Sequence, residues 1–175
     1  LSQATTYLFS YPGNPGRFLA SLPFDLDLVA EEGRLEISID SLRDGQRSHL
    51  STISLVLLSA GSPHVYPAPH GAERLTVFSP RPNRQISGGT LTIEGAGWAE
   101  SDLALVAEVL DRQGDTVGRS EFRLTSDEPG ELGTFRVEVP YQIDRAQQGK
   151  IVVYELSKTI PGLVHLNALD VFLAP

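Results

Sequence analysis

The residue types that most often carry chemistry are present in this sequence, but their spacing completes no catalytic arrangement. Serine hydrolysis needs a serine held beside a base, commonly in a Gly-x-Ser-x-Gly turn, and the sequence has no such turn. The four histidines fall in loops or beside the starts of predicted strands. His49 and His165 occupy matching places in an internal repeat, which favours a role in the fold. The sequence therefore predicts a protein that is not an enzyme.

Signals for a metal or a cofactor are equally incomplete. The absence of cysteine excludes a thiolate–zinc site and a disulfide scaffold. His64 and His70 could form half of a metal site, but no carboxylate cluster accompanies them, so a linker role is favoured. Asp25 and Asp27 resemble a calcium-type pair, yet no glycine-containing ligand loop follows. The Gly-Ala-Gly run at residues 95–97 lacks the third glycine and the helix of a dinucleotide site, so we expect no metal and no cofactor.

Composition and net charge argue against nucleic acid as a partner and against insertion of this segment into a membrane. The net charge is −8 at pH 7 and the isoelectric point is near 4.9, whereas nucleic-acid binding needs a basic surface. No run approaches the roughly 18 apolar residues of a membrane-spanning helix, so we expect no membrane insertion by this segment. The chain has no methionine, even at position 1. We therefore expect a processed product or a piece of a longer protein, with any membrane anchor outside this segment.

The elements that position these residues are organised by an internal repeat, in which residues 16–57 return as residues 133–173. The two copies share a Gly-x-Phe pattern, an apolar-proline-aromatic step and an alternating apolar strand, at 16–18 and 133–135, at 22–24 and 139–141, and at 53–57 and 169–173. A repeat this long, kept through glycines, prolines and apolar register, indicates a duplicated domain rather than a short solenoid repeat.

Alternating apolar residues predict the strands of both copies. In the first copy they predict strands at 18–28, 35–39 and 50–58, with a bend at Pro23. In the second copy about seven short strands, separated by turn signals, are typical of an antiparallel immunoglobulin-like sandwich. Residues 103–110 also fit helical spacing, but the hairpin turn that follows favours a strand. The predicted fold class is all-β, with antiparallel immunoglobulin-like β-sandwiches in tandem and the first one incomplete.

These strands divide the chain into two predicted domains. Residues 1–61 form a partial sandwich that is the back half of the repeat, residues 62–72 a proline-rich linker, and residues 73–175 a complete sandwich. Proline lacks the N–H that a sheet needs, so Pro140 and its counterpart Pro23 are expected at a strand break, a bulge or a sheet edge.

The first copy lacks roughly three strands that precede the repeated part in the second copy. Its inward apolar row, which includes Phe18, Leu22, Phe24 and Leu35, would therefore be exposed, and its strands would keep unpaired edges. Folded proteins avoid both features because they recruit other chains. We expect a partner to complete the first sandwich: upstream chain, another copy of the chain, another protein, or the face of the second copy.

Trp98 follows the glycine-rich corner and is the remaining candidate for an interaction. Its ordinary role would be to plug the core at this corner. The alternative is a carbohydrate-binding module, in which Trp98 and tyrosines such as Tyr66, Tyr141 and Tyr154 form an exposed platform for stacking on sugars. Solvent exposure of Trp98 distinguishes the two.

The second copy resembles a known family of bacterial domains. The strand ending in Ser-Pro at residues 75–80 and the apolar strand at 91–95 resemble the opening of the immunoglobulin-like domain of bacterial spore germination. The Asp-x-x-Gly turn at 111–114 resembles the middle of that domain, and the steps at 133–135 and 139–141 resemble its back half.

The resemblance covers residues 73–175, and its back half also covers residues 16–58. The sequence departs from the usual pattern at residues 157–162, where the family often has a Ser-x-x-(Asp/Glu)-Gly turn. The resemblance implies a non-enzymatic, extracytoplasmic domain of bacterial cell envelopes, without established catalytic residues. The leading hypothesis is a structural or protein-interaction module of the cell surface or the periplasmic side of the envelope. An accessory subunit of a membrane complex is a further alternative.

Overall fold

The computed structural model describes residues 2–6, 18–62, 73–98, 104–126, 131–157 and 162–175. Within these ranges the chain forms ten β strands and no helix. The strands are β1 (Ala30–Asp40), β2 (Arg47–Leu58), β3 (Leu75–Ser79), β4 (Gln85–Ile86), β5 (Thr90–Gly97), β6 (Leu105–Leu110), β7 (Thr116–Phe122), β8 (Gly133–Pro140), β9 (Gln147–Leu156) and β10 (Leu163–Leu173).

The strands form two sheets. The larger sheet has the order β1-β2-β10-β9-β6-β7, with the two-residue strand β4 also pairing with β10. The smaller sheet has the order β3-β5-β8. β10 pairs antiparallel with both β2 and β9, whereas β4 pairs with it in parallel. This all-β architecture of antiparallel sheets is consistent with the predicted immunoglobulin-like sandwich.

The contacts between residues divide the chain into two compact units, and the division runs through β1 and β2. The first unit comprises residues 1–34 and 54–66, and the second comprises residues 35–53 and 67–175. The predicted first domain, residues 1–61, includes all of β1 and β2, whereas the contacts group the adjoining ends of these strands with the second unit.

The main core lies in the second unit, where the inward side chains of both sheets interdigitate. Burial alternates at every residue along β8, as expected for a strand with one face on a core. The buried members of the core are Leu75, Leu91, Ile93, Leu105, Ala107, Val109, Phe135, Val137, Val139, Tyr141, Ile151, Val153, Leu169, Val171 and Leu173. A Cβ atom at Gly95 would collide with the Thr76 carbonyl oxygen and the Phe135 ring, so this close approach of β3, β5 and β8 requires glycine.

Two strand predictions in the second copy agree with the structure. The segment that also fitted helical spacing forms β6, at Leu105–Leu110. Pro140 is the last residue of β8, and β8 is an edge strand of the smaller sheet. Its missing N–H therefore breaks no ladder in the interior of a sheet.

The strand predicted at residues 18–28 is wrong, because residues 18–29 form no strand and β1 begins at Ala30. The equivalent segment of the second copy is β8, which pairs along its length with β5. The first copy has no described counterpart of β5, and Pro23 removes one donor as well. Apolar alternation alone does not form a strand, because a strand also needs a neighbour to satisfy its backbone groups.

Candidate interaction surface

The strand β2 extends the larger sheet by pairing with β10 over a short stretch. Ser51, Leu50 and His49 lie opposite His165, Leu166 and Asn167, respectively. Leu50 and Leu166 are buried and pack with Val152 and Ala168 in a second, smaller core cluster. The edge of β10 is therefore covered along this stretch by a strand from the first copy of the repeat.

The loop between β1 and β2 is fixed to β9 by a buried lysine. The Lys150 side chain is 5% exposed, and its Nζ donates to Asp44 Oδ2 at 2.7 Å and to Gln46 Oε1 at 3.2 Å. The hydrogen bond from Lys150 lowers the pKa of Asp44 from 3.8 to about 2. Arg43 also forms an ion pair with Asp170 of β10, at 2.6 Å. These polar contacts hold the loop in place beside the sheet.

A buried polar cluster lies where β2 meets β10. Glu155 and His165 are opposite each other on β9 and β10, and each is 1% exposed. Ser51 Oγ lies 3.5 Å from His165 Nδ1, at the long limit of a hydrogen bond. Asn167 Nδ2 donates to the Leu75 carbonyl oxygen at 3.2 Å and to Glu73 at 3.3 Å. Because the histidine and the glutamate are enclosed, this cluster is part of the packing between β2, β9 and β10.

The five interaction candidates from the sequence differ in exposure. Phe18 and Phe24 are 47% and 53% exposed, and Leu22 is half-buried; all three lie in the first unit. Leu35 is half-buried and Trp98 is 8% exposed, and both lie in the second unit. Phe18 and Phe24 of the first copy are thus open to solvent, whereas Trp98 is part of the interior.

The aromatic platform of the carbohydrate hypothesis loses its best residue. Trp98 is buried, and its backbone N–H donates to the Arg74 carbonyl oxygen at 2.9 Å. Tyr141 is also buried, with its hydroxyl donating to the Ala174 carbonyl oxygen at 2.8 Å. The Tyr154 hydroxyl donates to Glu108 at 3.1 Å. Tyr66, and the linker histidines His64 and His70, lie outside the described residues.

The outer strand β1 contains the strand predicted at residues 35–39 and the candidate Leu35, but the sequence did not indicate its place in the sheet. In the described part of the larger sheet, β1 is the terminal strand and pairs only with β2. From Gly33 onward it alternates strictly: Leu35, Ile37 and Ile39 occupy one face, and the intervening residues are polar. Leu35 and Ile37 are half-buried and Ile39 is exposed. The strand thus combines an open edge with an apolar face.

No group of three or more histidine, aspartate or glutamate side chains that could hold a metal occurs among the residues with described positions. In the same part of the chain, no helix long and apolar enough to cross a membrane is found.

Comparison with known proteins identifies the middle of the second unit. Residues 74–159 match the family model of the immunoglobulin-like domain of bacterial spore germination. The match begins just before β3 and includes β9. A search of curated proteins finds no match.

Proposed function

Because residues 74–159 form an immunoglobulin-like domain of the bacterial spore germination family, we propose that this protein is a non-enzymatic module of the cell envelope. It works outside the cytoplasm and binds another protein. The proposal rests mainly on one observation: the first copy of the repeat adds strands to the larger sheet by pairing with β10, but many of its own apolar side chains are exposed.

The distribution of exposed apolar residues supports a binding role for the first copy. Single exposed apolar side chains are normal, but a cluster along one segment marks an interaction site. Within residues 18–58 the exposed large apolar side chains are Phe18, Leu19, Phe24, Leu28, Val29, Ile39, Leu42, Ile53, Val56 and Leu58. In the longer segment 73–175, the described residues contribute only four: Phe78, Leu132, Leu156 and Phe172.

The partner completes the first copy, either as another polypeptide or as a further copy of this chain. In the second copy, β8 satisfies its backbone by pairing with β5, and β9 does so by pairing with β6. The corresponding segments of the first copy, residues 18–23 and β1, lack those neighbours in the described sheets. A subunit of a larger envelope assembly would supply them.

Photo-crosslinking tests this function with a matched control. A photoreactive residue replaces Phe24 in one version of the full chain and Phe78, which is 60% exposed in the second unit, in the other. Added to envelope fractions of the source bacterium, the first version is expected to form a discrete adduct that the second does not form. The Phe18→Ser/Phe24→Ser variant should lose the partner. Equal adducts from both positions, or recovery of the native protein only from the cytoplasm, would overturn the proposal.

The carbohydrate alternative has no supporting observation, because Trp98 and Tyr141 are both buried.

A further inference from the structure

The repeat shows which kind of neighbour β1 lacks. Gly33 and Leu35 of β1 match Gly149 and Ile151 of β9 in the sequence. β9 has a neighbour on each side: β10 on one edge and β6, antiparallel, on the other. β1 has β2 on one edge, in the place of β10, and no described strand on the other. The vacant position beside β1 is therefore the position that β6 occupies beside β9.

The pairing of β6 with β9 also gives a register. Val109 lies opposite Ile151, Glu108 opposite Val152, and Ala107 opposite Val153. The matching residues of β1 are Leu35, Glu36 and Ile37. A strand that paired with β1 in this way would place apolar side chains opposite Leu35 and Ile37, and would face Glu36 at the position between them.

The edge of β1 carries charged side chains but lacks several other devices that normally prevent strand addition. Folded proteins protect edges with short strands, prolines, bulges or inward-pointing charges. β1 is 11 residues long and contains no proline, and its apolar face carries no charge from Gly33 to Ile39. Such an edge is suited to accept a strand from another chain.

The charge of β1 indicates the chemistry of the strand it takes. The strand carries four carboxylates, Glu31, Glu32, Glu36 and Asp40, and a single cation, Arg34. Like charges directly opposite each other in a sheet are unfavourable, and opposite charges are favourable. A second β6-type strand would bring its glutamate opposite Glu36, so a basic residue fits that position better.

Resting on the proposed function, we propose that residues 35–38 of β1 accept an antiparallel strand from a partner polypeptide, in the register that β6 has on β9. The partner strand alternates, with small or branched apolar residues toward the Leu35–Ile37 face and lysine or arginine opposite Glu36. Main-chain hydrogen bonds provide the affinity, and the alternating side chains provide the register.

Three peptides test the edge directly on the full chain. The first has the sequence of residues 104–111, the second carries Glu108→Lys, and the third carries Glu108→Lys together with Val106→Pro, because the backbone of alternate residues such as 106, 108 and 110 is the part of β6 that faces β9; all share a soluble tail. By fluorescence anisotropy, the Glu108→Lys peptide should bind on the order of threefold to tenfold more tightly than the first. The proline peptide should not bind, because it lacks a ladder donor. No saturable binding of the Glu108→Lys peptide, or equal binding of the proline peptide, overturns the inference.

Hydrogen exchange locates the bound peptide and separates this inference from the proposed function. The Glu108→Lys peptide should slow exchange of those amides of residues 35–38 that are directed toward the open edge. The Ile37→Lys variant should abolish its binding, while Ile53→Lys, on β2, retains it. Thermal unfolding checks that both variants fold. If the envelope partner is captured but residues 35–38 exchange unchanged in that complex, the function stands and the inference fails. A dimer of the chain alone with β1 protected would show that a second copy, not a basic strand, is the occupant, and would also overturn it.

Discussion

The hairpin β1–β2 and the hairpin β9–β10 have closely similar apolar patterns but different surroundings. Ile151 and Val153 of β9 are fully buried, whereas their counterparts Leu35 and Ile37 are only half-buried. On the second strands, Leu169 is buried and its counterpart Ile53 is exposed. The difference follows from the neighbours: β9 and β10 contribute to the main core with β3, β5 and β8, whereas β1 and β2, in the same sheet, contribute no buried residue to that core. An apolar pattern thus indicates which face a strand would bury, but a second sheet decides whether it does.

The largest expected effect concerns whether each copy of the repeat folds on its own. The fragment 73–175 contains the strands of both sheets that form the main core. We therefore expect it to unfold in a single cooperative thermal transition. The fragment 1–62 has no second sheet of its own among the described residues, so we expect no transition from it alone. Circular dichroism on both fragments checks this. A cooperative transition in the fragment 1–62 would break the comparison.

The next largest effect is on the free energy of unfolding, and it compares Phe135 with its counterpart Phe18 in the two Gly-x-Phe steps. Phe135 is 5% exposed, and its ring centroid lies 4.6 Å from that of Phe122. We expect Phe135→Ala to lower the free energy of unfolding by about 3–5 kcal/mol, because it leaves a cavity in the core. Phe18→Ala should change it by no more than about 0.5 kcal/mol, since Phe18 is already exposed. Urea unfolding of the full chain measures both, and similar losses would contradict the assignment of a single main core.

A smaller effect tests the loop that joins β1 to β2. The Lys150→Ala variant removes the buried cation, so Asp44 Oδ2 and Gln46 Oε1 lose the hydrogen bonds that Lys150 Nζ donates to them. We expect local stability of residues 41–46 to fall by about 1–3 kcal/mol, measured by hydrogen exchange. Arg136→Ala is the matched control, because Arg136 pairs with Glu94 on an exposed face. In Arg136→Ala, the fall in local stability should be only about 0–1 kcal/mol. Equal effects of the two substitutions would show that the lysine does not anchor the loop.

The smallest expected effect is that the stability of the β1–β2 loop depends on pH. The pKa of Asp44 is lowered in the folded chain to about 2 from 3.8, so its ionised form favours the docked loop. This contribution is complete above about pH 4 and is lost as the pH falls toward about 2. The Gln46 backbone N–H, which donates to Asp44 Oδ1 at 3.0 Å, reports the titration by NMR. Asp44→Asn should abolish it, and a midpoint near 4 in the original chain would argue against the Lys150 contact.

The sequence was sufficient for the features that depend on local patterns. The alternation of β8, the hairpin turn after β6 and the proline at the end of β8 were all readable, because each depends on period or on a missing N–H. The strand predicted at residues 18–28 does not form, because alternating residues also need a neighbouring strand. The sequence pattern does not reveal whether that neighbour is present. The contact of Lys150 with Asp44 joins residues far apart in the chain, and no local signal predicts such a pair.

The candidate surface was predicted in part. Exposure of Phe18 and Phe24 follows from the missing front half of the first copy, and the structure places both in solvent. The burial of Trp98 decides between the two roles considered for it. The missing strands of the first copy also predicted unpaired strand edges. That β1 is the strand with the open edge could not be read from the sequence, because strand order in a sheet depends on pairing between distant segments.

The most direct test of the central claim is residue-level hydrogen exchange on the isolated full-length chain, comparing residues 35–38 of β1 with residues 151–154 of β9. In β9, which has a strand on each side, every amide should exchange slowly. In β1, amides directed toward β2 should be slow, and those directed toward the open edge should exchange at nearly the rate of an unfolded chain. This alternation is the result that an incomplete first copy predicts. Uniform protection of all four β1 amides in a monomer would show that the edge is already occupied, and would contradict the account.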